Sequence, residues 1–397
     1  MRKKILFFGV NLFGTGGVES VLTKVANHLS INNEVTIISH NKEIKSKYVV
    51  DNQVNIIYLN PLYKYNEHLT LRAYFQNRFL DILKKIKIAY SSFRIFQLLC
   101  IHLMYTKNMK RKVISIINDI NPDYVVGIGR SALFLGMIAG DIKCTKVGWQ
   151  HNLFDSYLNF DKSNFWPNAS KLIPRLLASL DINLVLSEYD KQKYSELGVN
   201  CLVMPNFVDL DYFVDSPLTT KTMISVGRLS KEKRFDLLIQ IWSLFIKKNE
   251  EWKLYIYGEG SQRENLQKLI DDYDLSNSVF LRGFTDEINK AYLMCSINVS
   301  TSASEGFGLM AVEGMAAGLP FIAFDLPPFR DFVQDGKSGF LIREKDINTY
   351  VNKLELLANN FELRKQMSEN CKIIANEYSI NTIMNKWDNL FGKNQEI

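Results

Sequence analysis

Cysteine is sparse and scattered in this chain. The five cysteines, Cys100, Cys144, Cys201, Cys295 and Cys371, are odd in number and never form a CxxC pair, which argues against a disulfide framework and against a cysteine zinc site. A reducing compartment suits that pattern. The basic start, MRKKILFFGV, carries an apolar stretch too short for a secretory signal, so a cytoplasmic location is expected. No short-period repeat or low-complexity tract is visible, which excludes a solenoid. The glycine cluster at residues 9–20, GVNLFGTGGVES, lacks the key residues of both common phosphate loops. Gly9 and Gly14 have P-loop spacing, but Thr15 and Gly16 stand in place of its lysine and hydroxyl residue, and Glu19 replaces the third glycine of the dinucleotide fingerprint.

What is present describes an ordinary globular protein. Its 397 residues exceed the size at which one hydrophobic core stops growing, so two domains are expected, and the apolar and charged fractions give no sign of disorder. Charge is uneven: residues 1–203 carry a net +11 and the remainder −5. Within the basic half, Lys84 to Lys112 holds eight Lys or Arg and no acid, interleaved with Tyr90, Phe93, Phe96 and Tyr105. That mixture suits a helix lying on an anionic membrane, or a core helix with a solvated basic end. Arg94 and His102 argue against a spanning helix. No motif supports nucleic-acid binding.

Short apolar runs alternate with helical stretches along both halves. Ile5–Phe8, Val35–Ile38, Ile56–Leu59, Tyr124–Val126, Lys146–Trp149, Asn183–Leu186 and Leu202–Val203 are strand candidates in the first. Met223–Val226, Leu254–Tyr257, Val279–Leu281, Ile297–Ser300 and Phe321–Phe324 follow in the second. This alternation predicts α/β architecture with two doubly wound parallel sheets, residues 1–203 and 214–378, joined by a linker at 204–213. An amphipathic helix over Ile380–Phe391, within a tail of 379–397, has an apolar face able to pack on either half.

The sharpest motif is EGFGLMAVEGMAAGLP, Glu305 to Pro320, a glycine loop opening a helix after a strand. Backbone N–H groups around Gly306, Phe307, Gly308, Leu309 and Met310, together with the helix dipole, would favour a diphosphate. If the segment were wholly helical, Glu313 would lie about 12 Å beyond Glu305, too far for a hydrolytic carboxylate pair. In SVGRLSKEKRFDLL, Arg228 follows a strand and Lys233 precedes a helix, so both cations would reach a diphosphate at the same strand ends. Lys231 and Arg234 are expected to be solvated.

The spacing of Glu305 and Glu313 resembles the EX7E signature of retaining glycosyltransferase family 4, the group 1 glycosyltransferases of bacterial polysaccharide and O-antigen type. VGRLSKEK is similar to that family's phosphate loop, GTGGVE to its N-terminal glycine loop and VMPNFVDLDYF to its interdomain linker. The resemblance covers nearly the whole chain and implies the GT-B fold, two Rossmann-like domains facing across a cleft, with acceptor sites on the first and the nucleotide sugar on the second. It makes Arg228 and Lys233 the diphosphate cations, Glu305 the contact to the donor sugar, Glu313 the contact to ribose and the backbone near Phe284 the contact to the base. Gly16 and Gly17 would face the diphosphate from the other domain, and His151, in VGWQHNLFD, would stand near the transferred sugar. The segment from about Leu71 to Lys112 departs from the family's compact core.

The resemblance further implies a nucleotide-sugar donor, UDP-sugar before GDP-mannose, and a saccharide acceptor carried on undecaprenyl diphosphate at the inner face of the cytoplasmic membrane. No cofactor is expected. A DxD triplet at Asp209–Asp211 falls in the linker rather than at a strand end, so no metal is expected. A sugar-nucleotide epimerase or hydrolase, and a membrane-surface nucleotide-binding protein without activity, remain the competing readings.

Overall fold

A computed structural model describes residues 2–10, 17–39, 48–58, 107–158 and 169–392. It contains two compact units, Met1–Met204 with Lys386–Ile397, and Pro205–Asn385.

Seven described strands build the first unit: β1 (Lys4–Val10), β2 (Glu34–Ser39), β3 (Asn55–Tyr58), β4 (Tyr124–Ile128), β5 (Thr145–Trp149), β6 (Ile182–Val185) and β7 (Leu202–Val203). They form one parallel sheet in the order β3-β2-β1-β4-β5-β6-β7, with Leu6 facing Thr36 on one side and Val125 on the other. Burial on both faces explains why these strands read as unbroken apolar runs rather than as alternation. Leu6, Phe8, Val125, Phe134 and Tyr194 lie in the core beneath helices. Helix Lys107–Ile120 buries Met109, Val113 and Ile117 in that core and leaves Lys107 and Arg111 exposed. Its basic first turns therefore belong to a packed helix, while residues 71–106 of the basic segment lie outside the described residues.

The last helix, Ile380–Gly392, joins this unit from Lys386 onward. Trp387 meets Trp149 edge-on at 4.7 Å and Phe7 at 6.5 Å, and Phe391 packs on Tyr124 at 4.9 Å. Asp388 lies 2.9 Å from His28 Nε2. Three aromatic contacts of this kind select the first unit over the alternative left open by amphipathicity alone.

The second unit carries β8 (Thr222–Val226), β9 (Lys253–Tyr257), β10 (Val279–Gly283), β11 (Ile297–Ser300), β12 (Phe321–Phe324) and β13 (Gly339–Ile342), all parallel in the order β10-β9-β8-β11-β12-β13. Strand β13, GFLI, was not among the sequence expectations; it pairs in parallel with β12. Residues 205–213, expected as a linker, lie with this unit, and Asp209–Asp211 run into a short 3-10 turn, Leu210–Tyr212. Trp242, Phe245, Leu254, Ile297 and Tyr350 centre the core.

In each sheet the chain order reverses once, between β1 and β4 and between β8 and β11. Crossovers leaving those neighbours go to opposite faces of the sheet, so a crevice opens at their carboxyl ends. In the second unit those ends lead into Arg228 and into Ser300–Glu305. No helix among the described residues is long and apolar enough to cross a membrane.

Candidate functional site

Two loops at the β8 and β11 ends are laced together. The β8 loop is held from below: Gly227 N–H donates to Tyr257 O at 2.9 Å and Leu229 N–H to Glu259 O at 3.0 Å. It then makes a 3-10 turn, Lys231–Lys233, and passes through Arg234 in the left-handed region at φ 50°. Thr301 Oγ1 donates to Arg234 O at 2.8 Å, and Ala303 N–H donates to Glu232 O at 2.8 Å. These bonds bring Lys233 Nζ to 2.5 Å from Glu305 Oε1.

The two charges whose sequence positions are 72 apart thus form one ion pair, with side chains only 21% and 10% exposed. So little water reaches the pair that removing either partner would leave a poorly solvated charge behind. Ser302 Oγ adds a donor to the same carboxylate oxygen at 2.8 Å. Arg228, by contrast, is exposed and makes no ion pair among the described residues. Arg234, expected to be solvated, pairs with Glu344 at 3.3 Å.

Between Glu305 and Glu313 the chain is helical only from Leu309, so the spacing reckoned from a wholly helical segment does not apply. Helix Leu309–Ala316 starts after Gly308, whose φ is +93°. Its first bonded N–H is that of Ala311, to Gly308 O at 2.9 Å, while those of Gly308, Leu309 and Met310 find no acceptor among the described residues. A helix start with unoccupied N–H groups is suited to an anion. Phe307 anchors the turn by burying its ring between Phe332 at 5.5 Å and Tyr378 at 5.6 Å, so its side chain is structural. Gly306 is partly exposed ahead of it.

The body of the helix is pinned to the sheet. Asn298 Nδ2 donates to Met310 O at 2.8 Å, and the Tyr292 hydroxyl lies 3.1 Å from the same carbonyl and 3.2 Å from Glu313 Oε2. Burial, and then the neighbouring Glu313 carboxylate, push the Tyr292 hydroxyl well above its ordinary range, so it stays a donor. Phe284 follows β10 and is 56% exposed.

In the first unit, Gly17 begins the helix Gly17–Ser30, whereas Gly16 lies outside the described residues. His151, two residues past β5, is buried with both ring nitrogens lacking a partner among the described residues, as do Gln150 Nε2 and Trp149 Nε1. Its ring lies 4.2 Å from that of Trp149, and burial lowers its pKa to about 3. It is therefore a neutral imidazole at physiological pH. Residues missing from the sequence expectations are Ser302, Asn298 and Tyr292. The hydroxyl-rich run Ser300–Thr301–Ser302 at the end of an apolar strand was the available signal for the first.

Known proteins resemble the chain in sequence and in fold. Residues 213–373 match the family model described as glycosyl transferases group 1. The chain is 28% identical over 392 residues to an uncharacterized glycosyltransferase of Haemophilus influenzae, covering 97% of this chain and 99% of that protein. It is 34% identical over 238 residues to a poly(ribitol-phosphate) alpha-N-acetylglucosaminyltransferase of Staphylococcus aureus, covering 59% of this chain but 48% of that one. Among solved structures, Anabaena HepE in complex with UDP aligns with a TM-score of 0.75 at 15% identity, covering 98% of this chain and 99% of that one. At that identity the likeness establishes the fold: two Rossmann-like parallel-sheet domains of the GT-B kind.

Proposed function

We propose that the protein, whose residues 213–373 match the family model of group 1 glycosyl transferases in a chain of GT-B fold, is a retaining transferase using a nucleotide-diphosphate sugar. The donor is a UDP-linked hexose or N-acetylhexosamine. The acceptor is a saccharide, carried on undecaprenyl diphosphate, in cell-surface polysaccharide synthesis. The observation that carries this reading is the cluster of Lys233, Glu305 and Ser302 beside the open start of helix Leu309–Ala316, with Arg228 at the neighbouring strand end. UDP in the HepE complex and the N-acetylglucosaminyl group in the Staphylococcus relative's name support the donor class.

In this reading Arg228, Lys233 and the N–H groups of Gly308–Met310 receive the diphosphate. The reacting bond joins the sugar's anomeric carbon to a diphosphate oxygen, and charge gathers on that oxygen as it breaks. Cations and helix N–H groups directed at this oxygen stabilise the charge, a contribution that also replaces a metal ion. Glu305 orients the sugar through its hydroxyls, Glu313 holds the ribose and the Phe284 backbone contacts the base. The basic residues Lys107, Lys110, Arg111 and Lys112 meet anionic lipid at the inner membrane face.

The testing experiment is a thermal-shift panel of UDP- and GDP-sugars, followed by NMR of the product made from the donor that stabilises the protein. A UDP-sugar shift and retained anomeric configuration are expected, with turnover unaffected by EDTA. An inverted product would refute the retaining mechanism, a shift with GDP-mannose alone would refute the UDP assignment, and activity lost to EDTA and restored by manganese would refute metal independence.

A further inference from the structure

Two buried serines stand behind the Glu305 carboxylate. Ser300 ends β11 at 3% exposure and Ser302 follows at 5%. Ser300 Oγ donates to Ser302 Oγ at 3.2 Å, and Ser302 Oγ donates to Glu305 Oε1 at 2.8 Å. The relay is closed by the backbone, since Ser302 N–H donates to Ser300 Oγ at 3.3 Å. Its root is fixed in the core: the buried Tyr350 hydroxyl lies 3.0 Å from Ser300 O and 2.9 Å from Ile322 O. Consecutive hydroxyl donors polarise one another, so the last, which meets a carboxylate, is strengthened.

Both bonds to the carboxylate fall on one oxygen. Lys233 Nζ and Ser302 Oγ each meet Oε1, and Oε2 makes no hydrogen bond among the described residues. A diphosphate competes with Glu305 for Lys233. When the lysine turns toward it, Ser302 is the remaining donor that keeps the carboxylate from rotating. Accepting that Glu305 binds the donor sugar, we propose that Ser302 is a positioning residue for it: the Ser300–Ser302 relay holds Oε1 so that Oε2 is presented to a ligand hydroxyl whether or not Lys233 is engaged.

The test uses the full chain, with UDP as the binding probe and, as substrate, the UDP-sugar that gives the largest thermal shift. A hydrogen bond to a charged group is strong enough that Ser302→Ala should lower kcat by about tenfold or more. UDP affinity should stay near wild type, because the diphosphate contacts remain. Ser302→Thr, which retains the hydroxyl, should recover most of kcat, and Ser300→Ala should fall between wild type and Ser302→Ala. Equal kcat in Ser302→Ala and wild type, or in Ser302→Ala and Ser302→Thr, would overturn the proposal. If Ser302→Ala does not fold, the Ser302→Thr and Ser300→Ala pair decides: wild-type kcat in Ser300→Ala refutes the relay. Glu305→Gln separates the two layers. Wild-type kcat in that variant refutes the sugar-contact role itself, whereas an impaired Glu305→Gln beside a fully active Ser302→Ala refutes only the positioning role.

Discussion

Gly308→Ala tests whether the turn before the open helix start is as constrained as its geometry implies. Two costs act there. At φ +93° the backbone is in a region that L side chains rarely adopt, and an added Cβ would lie 2.5 Å from Phe329 Cε1. Phe329 cannot easily yield, because it is fully buried, with Phe321 at 5.2 Å and Phe332 at 5.9 Å. Left-handed strain costs about 1–2 kcal/mol and overpacking a filled core about 1–3 kcal/mol, so roughly 3 kcal/mol is expected. For a domain of this size that corresponds to a Tm lower by about 6–12 °C. Gly336→Ala isolates the first cost, since φ there is +74° with nothing within 4 Å of the added Cβ. Gly140→Ala has neither. Thermal or urea denaturation should rank the three as Gly308, then Gly336, then Gly140 in order of loss. Equal losses at Gly308 and Gly336 would show that the ring moves aside, and a loss under about 0.5 kcal/mol at Gly308 would refute both terms.

Arg228→Ala and Lys233→Ala should each reduce turnover by about 100-fold or more, and full activity in both would remove the diphosphate assignment. Glu305→Gln is expected to lower kcat mainly, and Glu313→Gln to raise KM for the donor; the reverse split in steady-state kinetics would exchange their roles. His151 has a pKa of 6.5 when free and about 3 when folded, so the unfolded chain binds more protons between those values and stability falls as pH drops through that window. At pH 5 the penalty is about 2 kcal/mol, and His151→Leu should flatten urea-derived stability between pH 6.5 and 3; an unchanged slope would refute a neutral buried imidazole. Binding to anionic vesicles should weaken, and lose salt sensitivity, when Lys107, Lys110, Arg111 and Lys112 become Gln. Identical vesicle binding would refute the membrane contact.

Local pattern carried the sheets a long way. Apolar runs such as ILFF at Ile5–Phe8 and SINVS around Ile297–Ser300 announce strands buried on both faces, because a parallel strand covered by helices has no solvent side to mark with polar residues. Boundaries shifted by a residue, as at Ile182–Val185 against the expected Asn183–Leu186, because the ladder and not the side-chain pattern ends a strand. The glycine before the helix at Leu309 and the acids at Glu305 and Glu313 were likewise visible as motif spacing.

Pairings between distant segments were not. Strand β13 is Gly339–Ile342 paired in parallel with β12, a pairing that the local sequence of GFLI does not specify. The amphipathic face of Ile380–Gly392 showed that the helix packs, while Trp149 and Phe7 decided on what. Lys233 and Glu305 were read as separate ligands of one molecule; folding made them partners of each other, since the turn that places Lys233 is tied to β11 through Thr301 and Ala303. Sequence therefore determined which residues carry charge, hydroxyls and backbone freedom at each strand end. Tertiary structure alone decided which oxygen of the Glu305 carboxylate is held and which makes no hydrogen bond among the described residues, because hydrogen-bond geometry within 3 Å depends on how two loops far apart in the chain are packed together.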